Sequence, residues 1–387
     1  MNMIEDSGFA RKMAFWARNW YPARLWRDGL GAWPNNLARK SRSNLRLLAR
    51  RRLARMARRY EGADFAALAA RAAHDDARNG DRHQWIDDAL RVAAVALAAH
   101  PPETGDRHVR REALELLDYP LNLRRSRRWR AQVGRFYQDA MARAVEEMTA
   151  ADVADGLHVW KMYNMGFVVR TRRHCVGFDL HPGGKATGCL SPRQQRDLIE
   201  MLDVVFISHL HVDHLHAGFL KGLLDAGKKV VLPPTLRPSL QRANAIQVYE
   251  SRPTRFQVAG VEVTCLPGWQ RFYARNNVYL VEMDGHRVLH NGDNTRHGVY
   301  LHLAGAEPID VVLANCWSGF GHGDHIHGAA LLITGHENEL GHAVSMRAPY
   351  RRTYAKFDRL GLTDGPDADA GPDCHVLSWG EGLRWKR

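Results

Sequence analysis

A short segment near the middle of the chain concentrates side chains that bind divalent metals. It reads Ser208-His209-Leu210-His211-Val212-Asp213-His214-Leu215-His216. Neutral imidazole nitrogens and carboxylate oxygens are the ligands that borderline metals such as zinc prefer. A polar loop that is merely rich in histidine is the competing interpretation. Because several histidines and an aspartate recur at such short spacing, a metal site that performs chemistry is favoured.

The residues around this segment predict that it connects a buried strand to a helix. Val204-Val205-Phe206-Ile207 is a continuous apolar run, mostly β-branched, as expected for a strand buried on both faces. Small and apolar residues then recur at helical spacing between Ala217 and Leu224, and Gly227 is a helix stop. Open α/β sheets place their ligand sites in such strand-to-helix loops.

The pattern His-x-His-x-Asp-His resembles the second motif of the metallo-β-lactamase superfamily, and the likeness extends from about Leu157 to the C-terminus. Two short strands before it end at Asp179, which resembles the aspartate that closes the first motif. A hairpin signal at Asp284-Gly285 precedes Asp293, the counterpart of the bridging carboxylate. Leu331 to Gly335 and His336 resemble the last strand and final histidine of the family. The resemblance implies an α/β fold, an αββα sandwich, preceded here by an N-terminal helical region.

The resemblance also implies a binuclear metal site. Two divalent metal ions are expected, zinc in the first place and manganese or iron as alternatives, holding a metal-bridging hydroxide that attacks the substrate. Asp213 and His336 are the expected catalytic residues. The implied ligands are His209 and His211 on one metal, Asp213, His214 and His336 on the other, and Asp293 between them.

One position departs from the family pattern. The third motif should supply a further histidine after the strand Val261 to Leu266, but Gln270 stands there, and an amide oxygen is a poorer ligand than imidazole. Three alternatives are open for the first metal: weak binding, a ligand from another side chain, or a harder metal. Additional ligands or neighbours of the ligands are therefore sought among Gln270, Asp179, His322, His325, His327 and His342. The histidines at 322–327 are equally compatible with a solvated loop.

Composition divides the chain into two regions. Residues 1–155 are rich in Ala, Arg and Leu, and breaks such as Gly62, Gly80 and Pro120 predict four or five helices. Residues 156–387 are the expected metal-binding hydrolase domain. The five cysteines form no CxxC pair, so neither a disulfide framework nor a cysteine zinc site is indicated.

The net charge of +13 comes mostly from arginine in the N-terminal region. Ordinary solvated helix faces are the first interpretation, an anionic substrate or peripheral contact with a membrane is the second, and nucleic acid is the third. The sequence has no apolar run of membrane-spanning length and no recognisable signal peptide. A cytoplasmic protein is expected, and peripheral membrane contact stays open. The oligomeric state is not predicted.

Three function classes follow. The first is a metal-dependent hydrolase that cleaves a phosphodiester, ester or lactone bond in a small molecule, with anionic substrates favoured. Its pattern is most similar to the branch of lactonases and N-acyl-phosphatidylethanolamine phospholipase D. The second is a di-iron oxygenase on the same fold. The third is a degenerate metal site whose basic helices bind a membrane or nucleic acid.

Overall fold

Two β-sheets packed face to face form the centre of the protein. The computed structural model describes residues 42–59, 84–121, 127–183, 189–235, 240–271, 274–303, 305–320, 328–338, 348–362 and 372–386. Within these ranges, helices cover the outer faces of the sheets, and the expected α/β sandwich with an N-terminal helical region is confirmed.

Helices make up the N-terminal region. They are α1 (Arg42–Arg59), α2 (Gln84–Ala99), α3 (Arg107–Leu121) and α4 (Arg127–Ala150). Pro120, a predicted break, lies in the last turn of α3, and its carbonyl accepts a 2.6 Å hydrogen bond from the Trp129 indole nitrogen. The last of these helices, α4, ends at Ala150, and the next element, a strand, begins at Leu157.

The first sheet is formed mainly by the strands that precede the histidine-rich segment. It contains β1 (Leu157–Lys161), β2 (Phe167–Arg170), β3 (Cys175–Phe178), β4 (Val204–Phe206), β5 (Lys229–Leu232), β6 (Ala245–Gln247) and β14 (Gly382–Trp385), in the order β14-β1-β2-β3-β4-β5-β6. Strands β3 to β6 run parallel. Helices α5 (Pro192–Met201) and α6 (Ala217–Asp225) follow β3 and β4.

The second sheet carries the later motifs. It contains β7 (Thr254–Val258), β8 (Val261–Gln270), β9 (Ala274–Met283), β10 (His286–His290), β11 (Val311–Asn315), β12 (Leu331–Gly335) and β13 (Asp373–Val376), in the order β13-β12-β11-β10-β9-β8-β7. Strands β10 to β13 run parallel. A 3₁₀ helix (His297–Leu303) and α7 (Tyr350–Leu360) complete the region. The predicted β9–β10 hairpin turns at Asp284 and Gly285, which both have positive φ, as a type I′ turn requires.

Apolar side chains from both sheets meet between them. Phe178 stacks on Phe206 with ring centroids 5.5 Å apart, and Phe206 contacts Tyr279 of the other sheet at 5.0 Å. All three are fully buried, or nearly so, in one hydrophobic cluster. Because alternate residues of a strand point to opposite faces, the remaining apolar residues pack against the helices.

The N-terminal helices pack directly on the sandwich. Tyr137 of α4 contacts Trp379 with ring centroids 4.4 Å apart, and both belong to a cluster that continues into the outer layer of the sheets. The buried guanidinium of Arg110 on α3 forms a 3.0 Å ion pair with Glu381. The helical region and the sandwich therefore share one core.

One member of the basic sequence on α1 is used inside the protein. The Arg52 side chain is 11% exposed and forms ion pairs with Glu112 at 3.2 Å and Glu115 at 2.6 Å. Since these pairs hold α1 against α3, Arg52 is not available as a membrane contact.

Two further observations concern membrane-spanning helices and the cysteines. No helix in the described ranges is long and apolar enough to cross a membrane. All five cysteines are buried and free.

Candidate metal centre

The centre lies where the carboxyl ends of parallel strands from the two sheets meet. Asp179 follows β3, and the histidine-rich segment follows β4, its parallel neighbour. In the other sheet, Asp293 comes shortly after β10, and His336 comes directly after β12. The carboxyl ends of parallel strands share one edge of a sheet, so residues far apart in sequence are brought to one place.

The first ligand group contains His209, His211 and Asp293, with ligand atoms all within 4.8 Å of one another. Nε2 of His209 lies 2.9 Å from Nδ1 of His211 and 3.7 Å from Oδ2 of Asp293. His209 and Asp293 are buried, and His211 is half-buried. One side of this group therefore faces the surface.

The second ligand group contains Asp213, His214 and His336, again with ligand atoms within 4.8 Å. Nε2 of His214 lies 3.4 Å from Oδ2 of Asp213, and Nε2 of His336 lies 3.3 Å from the same oxygen. Neither Nε2 atom makes a hydrogen bond with the described residues, although both are buried. Such atoms are in the position of metal ligands.

Asp293 lies between the two groups. Its Oδ1 is 3.5 Å from Nε2 of His214 and 3.4 Å from Nε2 of His336, while its Oδ2 faces His209. His214, Asp293 and His336 thus converge, although they come from separate loops. One carboxylate oxygen serves each group, which is the arrangement of a bridging ligand.

Asp179 contacts the histidines from one side of the centre, and with His209 and His214 it forms a third group whose ligand atoms lie within 4.8 Å of one another. Its Oδ2 lies 2.7 Å from Nδ1 of His214 and accepts a 2.5 Å hydrogen bond from the Ser208 hydroxyl. Ser208 also lies 3.0 Å from Nδ1 of His209. Because Nδ1 of each imidazole has a partner on the outside, Nε2 is the atom presented to the centre.

Asparagine side chains position the carboxylates. Nδ2 of Asn164 donates to Asp213 Oδ2 at 3.1 Å, and the Asn164 carbonyl accepts the His336 backbone N–H at 3.0 Å. Nδ2 of Asn315 donates to Asp293 Oδ1 at 2.5 Å. The sequence analysis missed both residues. Asn315 ends an apolar strand and could have been found by that signal, whereas Asn164 lies in a turn with no distinguishing pattern.

The backbone around His336 is held by buried polar contacts. His336 has a φ of 74°, an unfavourable left-handed conformation for a residue with a Cβ. Its neighbour Glu337 forms a fully buried 2.6 Å ion pair with Lys161 and accepts a 3.0 Å hydrogen bond from the Thr353 hydroxyl. These contacts stabilise a conformation that the local sequence alone does not favour.

The charges of the centre are strongly coupled. Burial, the largest influence, would lower the pKa of His214 and His336, but the nearby carboxylates outweigh it. They raise the pKa of His214 well above its ordinary value and that of His336 to about 10. Burial likewise opposes ionisation of Asp213 and Asp293, yet the two histidines hold the pKa of both carboxyls well below their usual range. Burial and neighbouring histidines lower the pKa of His209.

These observations fit a cationic occupant. Asp179, Asp213 and Asp293 are buried carboxylates in one small region, and buried negative charge is costly unless positive charge balances it. Protons on His214 and His336 provide that balance in part, and a divalent cation would replace them. The donor set of imidazole and carboxylate is one that zinc, manganese and iron all accept.

The remaining predicted residues differ in where they lie. Gln270, the last residue of β8, is buried, and its Nε2 donates a 2.6 Å hydrogen bond to Asp293 Oδ2. It therefore faces the first ligand group, and its Oε1 makes no hydrogen bond with the described residues. The other four candidates, His322, His325, His327 and His342, lie outside the described residues.

The α/β sandwich and the clustered imidazoles and carboxylates are consistent with a metal-dependent enzyme. Residues 148–320 match the family model described as "Beta-lactamase superfamily domain". This match, over less than half of the chain, supports the resemblance to the metallo-β-lactamase superfamily that the motifs predicted. A search of curated proteins found no match.

Several solved structures are similar to the sandwich. Igni18, a metallo hydrolase from Ignicoccus hospitalis, is 16% identical, with 60% of this chain and 99% of that chain covered and a TM-score of 0.43. The metallo-β-lactamase fold protein YhfI from Bacillus subtilis is 13% identical over 60% of this chain and all of that chain (100%), with a TM-score of 0.42. CmlA, a diiron β-hydroxylase from Streptomyces venezuelae, is 16% identical over 60% of this chain and 55% of that chain, with a TM-score of 0.41.

Proposed function

We propose that the protein is a hydrolase that uses two divalent cations, zinc in the first place, to cleave a phosphodiester, ester or lactone bond. The observation that carries this proposal is the position of Asp293 between two ligand groups from separate loops. Burying charged side chains together costs free energy unless a partner of opposite charge compensates it. A site that no longer binds metal would therefore not be expected to keep six such side chains in contact.

Cations bound here would activate water and balance the negative charge that develops on the substrate. The protein's own residues supply the geometry. Asp179 holds the His214 ring, Asn164 holds Asp213, and the amide of Asn315 holds Asp293. Because buried hydrogen bonds fix these ligands in advance, little reorganisation is needed when cation and substrate bind.

The two cation sites should differ in affinity. Asp213, His214 and His336 offer two imidazoles and a carboxylate to one cation. The other cation has His209 and His211 but only the amide of Gln270 where a third imidazole is expected. An amide binds zinc less well than imidazole does, so we infer one tight and one weaker site.

An anionic small molecule is the proposed substrate, since the chain is strongly basic. Membrane contact of the basic helices is a separate proposal. It can involve the exposed Arg51 but not Arg52, which is paired with Glu112 and Glu115.

Metal analysis combined with a substrate panel tests the function. The purified protein is loaded with zinc or manganese and assayed with bis(p-nitrophenyl) phosphate, p-nitrophenyl acetate and a simple lactone. We expect about two equivalents of metal per chain and turnover that a chelator removes and added metal restores. Asp213→Ala should be inactive, while Asp197→Ala, a carboxylate exposed on α5, should match the parent protein.

Other results would overturn the proposal. Stoichiometric iron with visible absorbance and oxygen consumption would indicate the di-iron oxygenase instead. Failure to bind metal in stoichiometric amounts would indicate a scaffold protein.

A further inference from the structure

A cationic and aromatic surface lies next to the first ligand group. We call it the arginine edge, and it consists of Tyr249, Trp269, Arg275 and Arg296. Trp269 directly precedes Gln270, whose amide contacts Asp293, and Arg275 lies opposite Trp269 in the β8–β9 pairing. Arg296 is three residues beyond Asp293. The backbone segments that carry the arginine edge therefore adjoin those that carry Gln270 and Asp293.

Aromatic rings support one of the arginines. The Arg275 guanidinium lies over the Tyr249 ring, 4.6 Å from its centroid, and the Tyr249 and Trp269 rings meet edge to face at 6.4 Å. A guanidinium stacked on a ring keeps its N–H groups at its edge available to an anion while its orientation is restricted. The Arg275 guanidinium is thereby held in place before an anion binds, which reduces the entropic cost of binding.

The backbone of the arginine edge is fixed to the centre through Asn294, the neighbour of Asp293. Asn294 is fully buried, and its Oδ1 accepts the backbone N–H of Trp269 at 3.0 Å and of Arg296 at 3.2 Å. Its Nδ2 donates to the Tyr300 hydroxyl at 3.1 Å. The distance from the arginines' backbone to the bridging carboxylate is thus set by a buried hydrogen-bond network.

The two arginines of the arginine edge differ from Arg52 and Arg110 in having no carboxylate partner among the described residues. Arg275 and Arg296 are exposed, and neither forms an ion pair with a carboxylate of the described residues. Burial raises the pKa of the Tyr249 phenol, and the positive charges of Arg275 and Arg296 both act to lower it. Both guanidiniums therefore lie within electrostatic reach of that ring. Arg52 and Arg110, by contrast, are paired with glutamates. Two neighbouring guanidiniums without acidic partners favour an anion.

We propose that the arginine edge is a substrate subsite that binds a phosphate-type anion carried by a molecule whose scissile bond lies at the metal centre. The subsite rests on the proposed hydrolase function and adds its substrate class. Trp269 and Tyr249 would contact a flat group next to the anion, and Arg275 and Arg296 would bind the anion itself.

The test compares an anionic and a neutral substrate in the Arg275→Gln/Arg296→Gln double variant. The ratio of KM for a p-nitrophenyl ester whose acyl group carries a separate phosphate to KM for p-nitrophenyl acetate should rise about tenfold, with kcat for the phosphate-bearing ester little changed, because binding rather than chemistry is lost. Arg275→Lys keeps the charge and should recover part of the loss. Arg193→Gln, which removes an exposed charge from α5, is the matched control.

A second readout is independent of turnover. Calorimetry measures binding of p-nitrophenyl phosphate to the same proteins, and the double variant should bind it about tenfold more weakly at low salt. Equal effects on both substrates, or an Arg193→Gln effect as large as that of the double variant, would overturn the subsite. If the parent protein hydrolyses nothing, the proposed function fails and this measurement alone decides. Weaker binding by the double variant then supports an anion site, and unchanged binding removes it.

Discussion

Asn338, two residues after His336, donates a 2.9 Å hydrogen bond to the carboxylate of Asp118 on α3. The same carboxylate accepts the backbone N–H groups of Tyr350, at 2.7 Å, and Arg351, at 3.1 Å, at the start of α7. Asp118 thus acts as an N-cap supplied from another helix. A residue of the N-terminal helical region thereby holds both α7 and the segment that carries the candidate ligand His336.

Replacing Asp118 by Ala should therefore affect stability and metal binding together. Three donors, two of them in buried hydrogen bonds, would lose this acceptor, and we expect a loss of about 3 kcal/mol in the free energy of unfolding. Chemical denaturation measures this loss, and metal content at limiting zinc should fall with it. Asp197→Ala should change neither quantity. Unaltered metal affinity in a folded Asp118→Ala protein would separate the helical region from the centre.

Asp118 should also give stability a characteristic pH dependence. Burial is the main cause that raises the pKa of its carboxyl from 3.8 to about 7, although the three hydrogen bonds oppose the shift. The folded state therefore holds this proton more strongly than the unfolded state does. The contribution of this proton to the free energy of unfolding is fully present below about pH 4 and is lost as the pH rises through about 7. The Asp118→Asn variant should lack this pH dependence when its free energy of unfolding is measured between about pH 4 and pH 7. Parallel pH profiles for the variant and the parent protein would contradict the prediction.

The ligands of the second group should be essential for activity but not for folding. Asp213→Ala and His214→Ala each remove a ligand in a loop at the sheet edge, while the apolar core between the sheets is unchanged. We expect kcat/KM to fall by more than about 1000-fold with a largely native circular dichroism spectrum. Substantial turnover in either variant would refute the ligand assignment.

Gln270→His should strengthen the weaker cation site. The side chain already reaches Asp293, so an imidazole there would replace a poor ligand by a good one. Elemental analysis at limiting zinc should show a rise toward about two equivalents per chain. Gln257→His, on the exposed face of edge strand β7, controls for an added histidine. An identical metal content in both variants would mean that residue 270 does not face the cation.

Metal binding should release protons. The carboxylates raise the pKa of His336 to about 10 and that of His214 well above its ordinary value, so both imidazoles hold a proton at neutral pH. A cation must displace these protons, so the affinity of the site for the cation should increase as the pH rises toward the pKa of His336. Calorimetry in buffers of different ionisation enthalpy should detect up to about two protons released per chain. Binding heats that do not depend on the buffer would contradict this charge arrangement.

Local sequence patterns predicted much of the fold and brought the principal candidate ligands to attention. The apolar run before His209, the Asp284-Gly285 turn and the strand before His336 all reflect interactions between residues close in the chain, such as strand burial and turn geometry. The His-x-His-x-Asp-His spacing placed several ligands in one loop, so their proximity required no knowledge of the fold.

Only the tertiary structure decided which distant side chains meet. Asp118, Asn164 and Asn315 act through partners between 22 and 233 residues away, and no periodicity marks such a pair. The position of Arg275 over the Tyr249 ring likewise depends on how separate strands and loops meet. Sequence counts charges, but their pairing depends on how helices and sheets pack, because ion pairs and buried hydrogen bonds act only over a few ångströms.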